Sequence, residues 1–149
     1  METLRKAERK DANLILEFIK GIAEYEKMSD QVKATPELLE EWLFDKKIGE
    51  VVFVLEENHE VGFVLYFYNF STFVGKGGLY IEDLFVKPEF RGKGYGKALI
   101  NHVIDKARKE KLERVEWTCL DWNIPSINFY KSIGAFPMDE WTNFRFHLS

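Results

Sequence analysis

The stretch Leu79–Gly96, LYIEDLFVKPEFRGKGYG, constrains this chain more than any other. Leu79, Tyr80 and Ile81 with Leu84, Phe85 and Val86 make an apolar run of the kind carried by buried strands, and Pro88 marks a turn after it. Two carboxylates, Glu82 and Asp83, interrupt the run, and a strand with a purely structural task has little use for them. Behind the turn, Arg91, Gly92, Gly94 and Gly96 open directly into an amphipathic helix. A helix start offers N–H groups without intrahelical partners and a partial positive charge, which together suit a phosphate. Acids on a strand and an anion cradle at its exit point to a site that joins a phosphate-bearing cofactor to a cationic or proton-losing substrate.

The rest of the chain supplies the frame. Thr3–Ala7 alternates as a short strand, and Asp11 is placed to cap the helix that follows. Leu14, Ile15, Phe18, Ile19, Ile22 and Ala23 recur at helical spacing and form one core stripe. Past it, Glu24, Tyr25, Glu26 and a polar loop to Lys33 put acids and an aromatic where a ligand could be met; a solvated helix end is the alternative. Thr35-Pro36-Glu37 reads as a capped start with proline at the first helical position, opening a helix through Leu43. Val51–Leu55 and Val61–Tyr68 read as a hairpin, with Gly62 marking a bulge or a close backbone approach. The aromatics Phe67, Tyr68, Phe70 and Phe73 lead to the glycine-rich turn at 75–78, and Phe73 stands beside that turn rather than inside the strand. Ala98, Leu99, Ile100, Val103, Ile104 and Ala107 form a further helical stripe. Arg114–Leu120 alternates as a strand, Ile124–Tyr130 reads as a short helix stopped by Gly134, and Ala135–Met138 and Thr142–Leu148 close the chain as two strands. This order predicts one α+β domain over residues 1–149, with a mixed, mainly antiparallel sheet of about seven strands flanked by four helices.

Several function classes recede on composition. The formal charge of −4 argues against a general phosphate-backbone surface, so no nucleic-acid partner is expected, and it leaves room for a cationic small molecule. A single cysteine, Cys119, excludes an intramolecular disulfide framework and a thiolate metal set; its mid-strand position suits inert core better than an acyl carrier. His59, His102 and His147 lie far apart, so no metal site is expected. The absence of a long apolar run and of a signal-peptide core predicts a cytosolic protein with no membrane partner. Arg91-Gly92-Lys93-Gly94-Tyr95-Gly96 gives neither the full dinucleotide fingerprint nor a nucleotide P-loop, so the cradle serves a different phosphate.

Val86-Lys87-Pro88-Glu89-Phe90-Arg91-Gly92-Lys93-Gly94-Tyr95-Gly96 resembles the V-x-P-x-x-[R/Q]-x-x-G-x-[G/A] signature of the GCN5-related N-acetyltransferases, with every fixed position filled. Asn123 through Ser126 to Tyr130, then Gly134-Ala135, is similar to the family's second element, N-x-x-[S/A]-x-x-[F/L]-Y…G-[F/A]. With the strand order, the resemblance covers essentially the whole chain. Tyr25-Glu26, the Leu79–Val86 strand and Trp122–Lys131 are more narrowly similar to the diamine acetyltransferase branch, which includes thialysine acetyltransferases. Two positions depart from that branch: Gly77-Gly78 lengthens the turn before the strand, and Phe73 stands where a tryptophan is common. Both bear on the substrate rather than the reaction.

The resemblance implies an acetyl-coenzyme A-dependent enzyme acting on a small amine, and a homodimer. An amine of pKa about 10 is protonated at neutral pH and has no lone pair to attack a thioester, so a base must remove its proton. Glu82 is the candidate, acting through water; a strand-end carboxylate paired with a lysine is the alternative. Asp83 alternates to the opposite face from Glu82 unless a bulge intervenes, in which case it would help to hold a distal ammonium. Glu26, Asp30 and Tyr25 are candidate contacts for that second charge, with Phe73 as an aromatic wall. Backbone N–H groups near Leu84, Phe85 and Val86 would donate to the oxyanion and receive the pantetheine amides as an added strand. Arg91, Gly92, Lys93, Gly94, Tyr95 and Gly96 would hold the pyrophosphate. By the motif, Tyr130 would give a proton to the departing thiolate, and Asn123 and Ser126 would bond the cofactor arm, unless they simply cap their helix. Acetylation of a protein lysine or N-terminus, or a non-catalytic coenzyme A sensor, are the competing readings.

Overall fold

The computed structural model describes residues 3–148, which fall into two compact units, Met1–Trp117 and Thr118–Ser149. In the first, β1 (Thr3–Lys6), β2 (Glu50–Glu56), β3 (His59–Ser71), β4 (Lys76–Val86) and β5 (Val115–Trp117) form one sheet in chain order. The first four strands pair antiparallel and β5 joins β4 in parallel, giving the mixed α+β class expected. Helix α1 (Ala12–Tyr25) covers one face, where Phe18 stacks on Phe63 at 5.2 Å and meets Phe85 edge-on at 6.3 Å. Helix α3 (Tyr95–Lys109) covers the other, burying Leu99, Ile100 and Val103 and setting His102 edge-on to Tyr66. Between them in sequence lies α2 (Pro36–Leu39), prolonged by a π-helical turn over Glu40–Asp45. As expected, the Thr35 hydroxyl accepts the Leu38 N–H at 3.1 Å and Pro36 occupies the first turn.

The expected strand count fails. Among the described residues the sheet has five strands rather than seven, and neither Ala135–Met138 nor Thr142–Leu148 is a strand. Alternation is present in the tail, but Phe144, Phe146 and Leu148 stand 88–92% exposed: a strand needs an edge to ladder onto, and alternation supplies none. Pro137 also removes a ladder donor from the first of these segments. The strand expected at Arg114–Leu120 is only Val115–Trp117, because β5 pairs with Leu79–Ile81 and stops where β4 becomes irregular. Nor does Asp11 cap α1. Its carboxylate accepts the Glu8 N–H at 2.7 Å and pairs with Arg5 at 2.8 Å, tying the turn before the helix to β1.

Gly62 fulfils the close-approach reading. A Cβ there would lie 2.7 Å from the Phe85 carbonyl oxygen and 3.1 Å from both Val54 and Val86. The register between β2 and β3 also shifts beside it. Gly62→Ala is expected to lower stability by about 1–3 kcal/mol through forced backbone displacement, read as a lower denaturation midpoint with unchanged m-value.

The second unit is built on α4 (Ile124–Ser132), with Pro125 in its first turn. Gly134, at φ +99°, ends it in the left-handed conformation that the sequence called for, and the Gly134 and Ala135 N–H groups close onto Lys131 and Tyr130 carbonyls.

Candidate active site

The register of β3 on β4 decides where the acids go. Tyr66 faces Ile81 and Val64 faces Leu84, so two residues of β3 span what takes three on β4. Glu82 is the extra residue, a β-bulge at the position where the strand carries its first acid. Upstream, Leu79 and Ile81 face α3; downstream, Asp83 pairs with Leu65 and falls on the α1 face with Phe85 and Val51. Without the bulge Asp83 would point at α3. Parallel pairing with β5 ends at Ile81, so beyond the bulge β4 has no strand partner on that side among the described residues. The backbone at Leu84, Phe85 and Val86 therefore borders an open edge, while the Phe85 and Val86 side chains are buried.

On the α1 face, Asp83 meets Glu26 in a cavity of ≈ 290 Å³. Its walls include Ile19, Ile22 and Ala23 from α1 and Met28, Gln31 and Val32 from the loop beyond. Burial first, then the charges of Glu82 and Glu26, push the Asp83 carboxyl up to about 7, and burial also raises Glu26. Lys33 lines the same cavity, but its ammonium reaches the Asp30 carbonyl at 3.4 Å. Among the described residues neither acid makes an ion pair, so an entering ammonium would find two unpaired carboxyl groups.

The other expected substrate contacts do not share this place. Asp30 is exposed in a 3-10 turn, Ser29–Gln31, and Phe73 is 100% exposed at the β3–β4 turn, outside the cavity lining. Tyr25, 38% exposed at the end of α1, lies under the Arg91 guanidinium at 4.8 Å. Sequence reasoning passed over Met28, Gln31 and Val32 as wall residues. Lys27, at φ +60°, ends α1 in a left-handed turn that brings the Met28 N–H onto the Ala23 carbonyl at 2.7 Å and re-aims the loop; only the end of the apolar stripe could have signalled it.

The glycine loop fits an anion. The Phe90 N–H donates to the Lys87 carbonyl at 2.9 Å, and Gly92 and Gly94 follow at φ +79° and +87°, conformations that open a concavity of N–H groups at the start of α3. A Cβ added at either glycine would meet nothing within 4 Å, so open space lies over the loop. Lys93 turns its ammonium to Glu56 at 3.3 Å, and the buried Tyr95 hydroxyl bonds the same carboxylate, which this bond holds below the usual range. The side chains of both residues are thus engaged with Glu56.

In the second unit, the Asn123 side chain accepts the Ser126 N–H at 3.4 Å, so the capping role weighed for these two residues is present. Tyr130 sits half-buried near the end of α4 with its ring 5.5 Å from Phe129.

The α+β fold is shared with solved structures. An integron cassette protein of V. cholerae superposes with a TM-score of 0.81 at 28% identity, covering 98% of this chain and 92% of its own. Residues 15–135 match the model of the acetyltransferase (GNAT) family, and the chain belongs to that family. The thialysine N-epsilon-acetyltransferase of Sus scrofa is 36% identical over 155 residues, covering 96% of this chain and 91% of the relative. The L-ornithine N5-acetyltransferase of Arabidopsis thaliana is 48% identical over 80 residues, or 54% of this chain and 35% of the relative. The protein is an N-acetyltransferase.

Proposed function

We propose that the enzyme transfers the acetyl group of acetyl-coenzyme A to a primary amine of a small polycationic or lysine-like substrate, a polyamine or thialysine, by direct attack with both substrates bound. The observation that carries this reading is the two unpaired carboxyl groups of Asp83 and Glu26 in one cavity beside Glu82. A substrate with a second positive charge would place it there, which a simple monoamine cannot do. The amines named for the relatives, thialysine and ornithine, belong to that chemical class.

Acetyl-coenzyme A, the family's donor, supplies an activated thioester when bound. The backbone of Arg91–Gly96 would hold its pyrophosphate, the open edge of β4 at Leu84–Val86 its pantetheine amides, and Asn123 and Ser126 its arm. Glu82, exposed on the bulge, takes the ammonium proton through water and so frees the lone pair. By the family resemblance, a β4 N–H would donate to the thioester carbonyl oxygen, and the Tyr130 hydroxyl would supply a proton to the leaving thiol. Cys119 has no part in the reaction. The family match spans both compact units, which supports one functional domain over residues 1–149, and the family resemblance supports a homodimer. Among the described residues no helix is long and apolar enough to cross a membrane.

A thiol-release assay with acetyl-coenzyme A against spermidine, spermine, putrescine, thialysine, lysine and aminoglycosides tests the reading. Turnover is expected to favour amines with a second charge by at least about tenfold in kcat/KM over a monoamine of equal length, since tenfold is 1.4 kcal/mol. Equal turnover of monoamines, or activity on peptide substrates alone, would remove the small-diamine reading. Calorimetric binding of coenzyme A without thiol release over the whole panel would favour a sensor.

A further inference from the structure

Arg91 opens the glycine loop, and its side chain turns back onto β4 and α1. Its Nε–H donates to the Val86 carbonyl, the last of β4, at 2.9 Å. Its guanidinium carbon lies 5.4 Å from the centre of the Phe85 ring and 4.8 Å from that of Tyr25. One planar cation thus links the donor loop, the end of β4 and the last residue of α1. An arginine suits this place because its guanidinium can direct an N–H at a carbonyl while lying near two rings. Directly after Tyr25 comes Glu26, which lines the acidic cavity and whose N–H closes onto the Ile22 carbonyl at 2.9 Å.

We infer that Tyr25 and Arg91 form a clasp through which occupation of the donor loop positions Glu26 in the amine cavity. Tyr25 is then a positioning residue that acts through Arg91, in place of the direct substrate contact suggested by its neighbourhood in sequence. The clasp rests on the reading of Arg91–Gly96 as the donor's phosphate site and goes beyond it. It joins two binding regions by a short path of packed groups, and such a link must act in both directions. The amine cavity of the empty enzyme and that of the donor-loaded enzyme would differ in how firmly Glu26 is held.

The test titrates coenzyme A, the thiol, into ¹⁵N-labelled protein with no amine present and follows backbone amide signals. In the wild type, the signals of Gly92, Gly94 and Gly96 are expected to shift, and with them those of Glu26 and Met28. Tyr25→Leu should keep the glycine shifts and change the coenzyme A Kd by less than about twofold, while the Glu26 shift falls by at least about threefold. Tyr25→Phe keeps the aromatic face and should restore the wild-type response. An unaltered Glu26 response in Tyr25→Leu overturns the clasp. Equal loss in both variants also overturns it, assigning the effect to the hydroxyl. If the glycines stay silent in the wild type, the donor-site reading itself falls and takes the clasp with it.

Discussion

Glu82→Gln is expected to lower kcat for the preferred amine by about 10²-fold or more, the usual contribution of a positioned base, while coenzyme A binds as before. The substitution keeps the shape of the bulge and removes only the proton acceptor. Because the lost step is deprotonation, the deficit should shrink as pH rises and more of the amine arrives already neutral. Tyr130→Phe is expected to reduce kcat as well, and its deficit should shrink with a donor analogue whose leaving thiol is more acidic. Steady-state kinetics across pH 6.5–9.5, paired with calorimetry of coenzyme A, separate the two effects. Wild-type turnover in both variants would remove the proposed acid and base; weaker coenzyme A binding in Glu82→Gln would reassign that residue to the donor site.

Asp83→Asn should move stability and activity in opposite directions. In the folded protein Asp83 keeps its proton up to about 7, whereas the unfolded chain releases it near the ordinary 3.8. Between those values the folded state binds more protons, so this group makes stability fall as pH rises through the interval. The full span corresponds to at most about 4 kcal/mol. Asp83→Asn removes the cost of an ionised buried group, so the variant should be more stable than the wild type at pH 8 by up to that amount and nearly equal to it at pH 4. Its KM for a diamine should rise at least about tenfold at pH 8, a loss of about 1.4 kcal/mol of binding. In the wild type the same KM should fall from pH 6 to pH 8 as Asp83 ionises. Denaturant titrations at both pH values and a KM profile measure all of this. A variant less stable at pH 8 would show that the ionised carboxylate does not burden the fold, and one with unchanged KM would show that it does not face the substrate.

The two predictions also mark what could be read from residues alone. The glycine loop was legible because Gly92 and Gly94 announce left-handed backbone, and the helices because their apolar stripes repeat at 3.6 residues. The pairing of Glu26 with Asp83 was legible only as a condition. Alternation places Asp83 opposite Glu82, and only the partner strand reveals that β4 carries one residue too many. The bulge is a relation between two strands, so no pattern within one of them contains it. The closing strands failed for a related reason: Phe144, Phe146 and Leu148 alternate convincingly, but an alternating segment is a strand only where an edge receives it. Choosing Glu26 over Asp30 likewise required the left-handed turn at Lys27, which a lysine does not advertise.

The irregularity at Glu82 makes the site a matter of counting as much as of chemistry. Every residue from Asp83 onward owes its side of the sheet to that single insertion. If Glu82 entered the ladder as an ordinary paired residue, with nothing removed from the chain, Asp83 would turn toward α3 and Glu82 would take its place opposite Leu65. The more regular sheet would be the inactive one. The register of β4 on β3 is thus information in its own right, and an inventory of side chains cannot contain it.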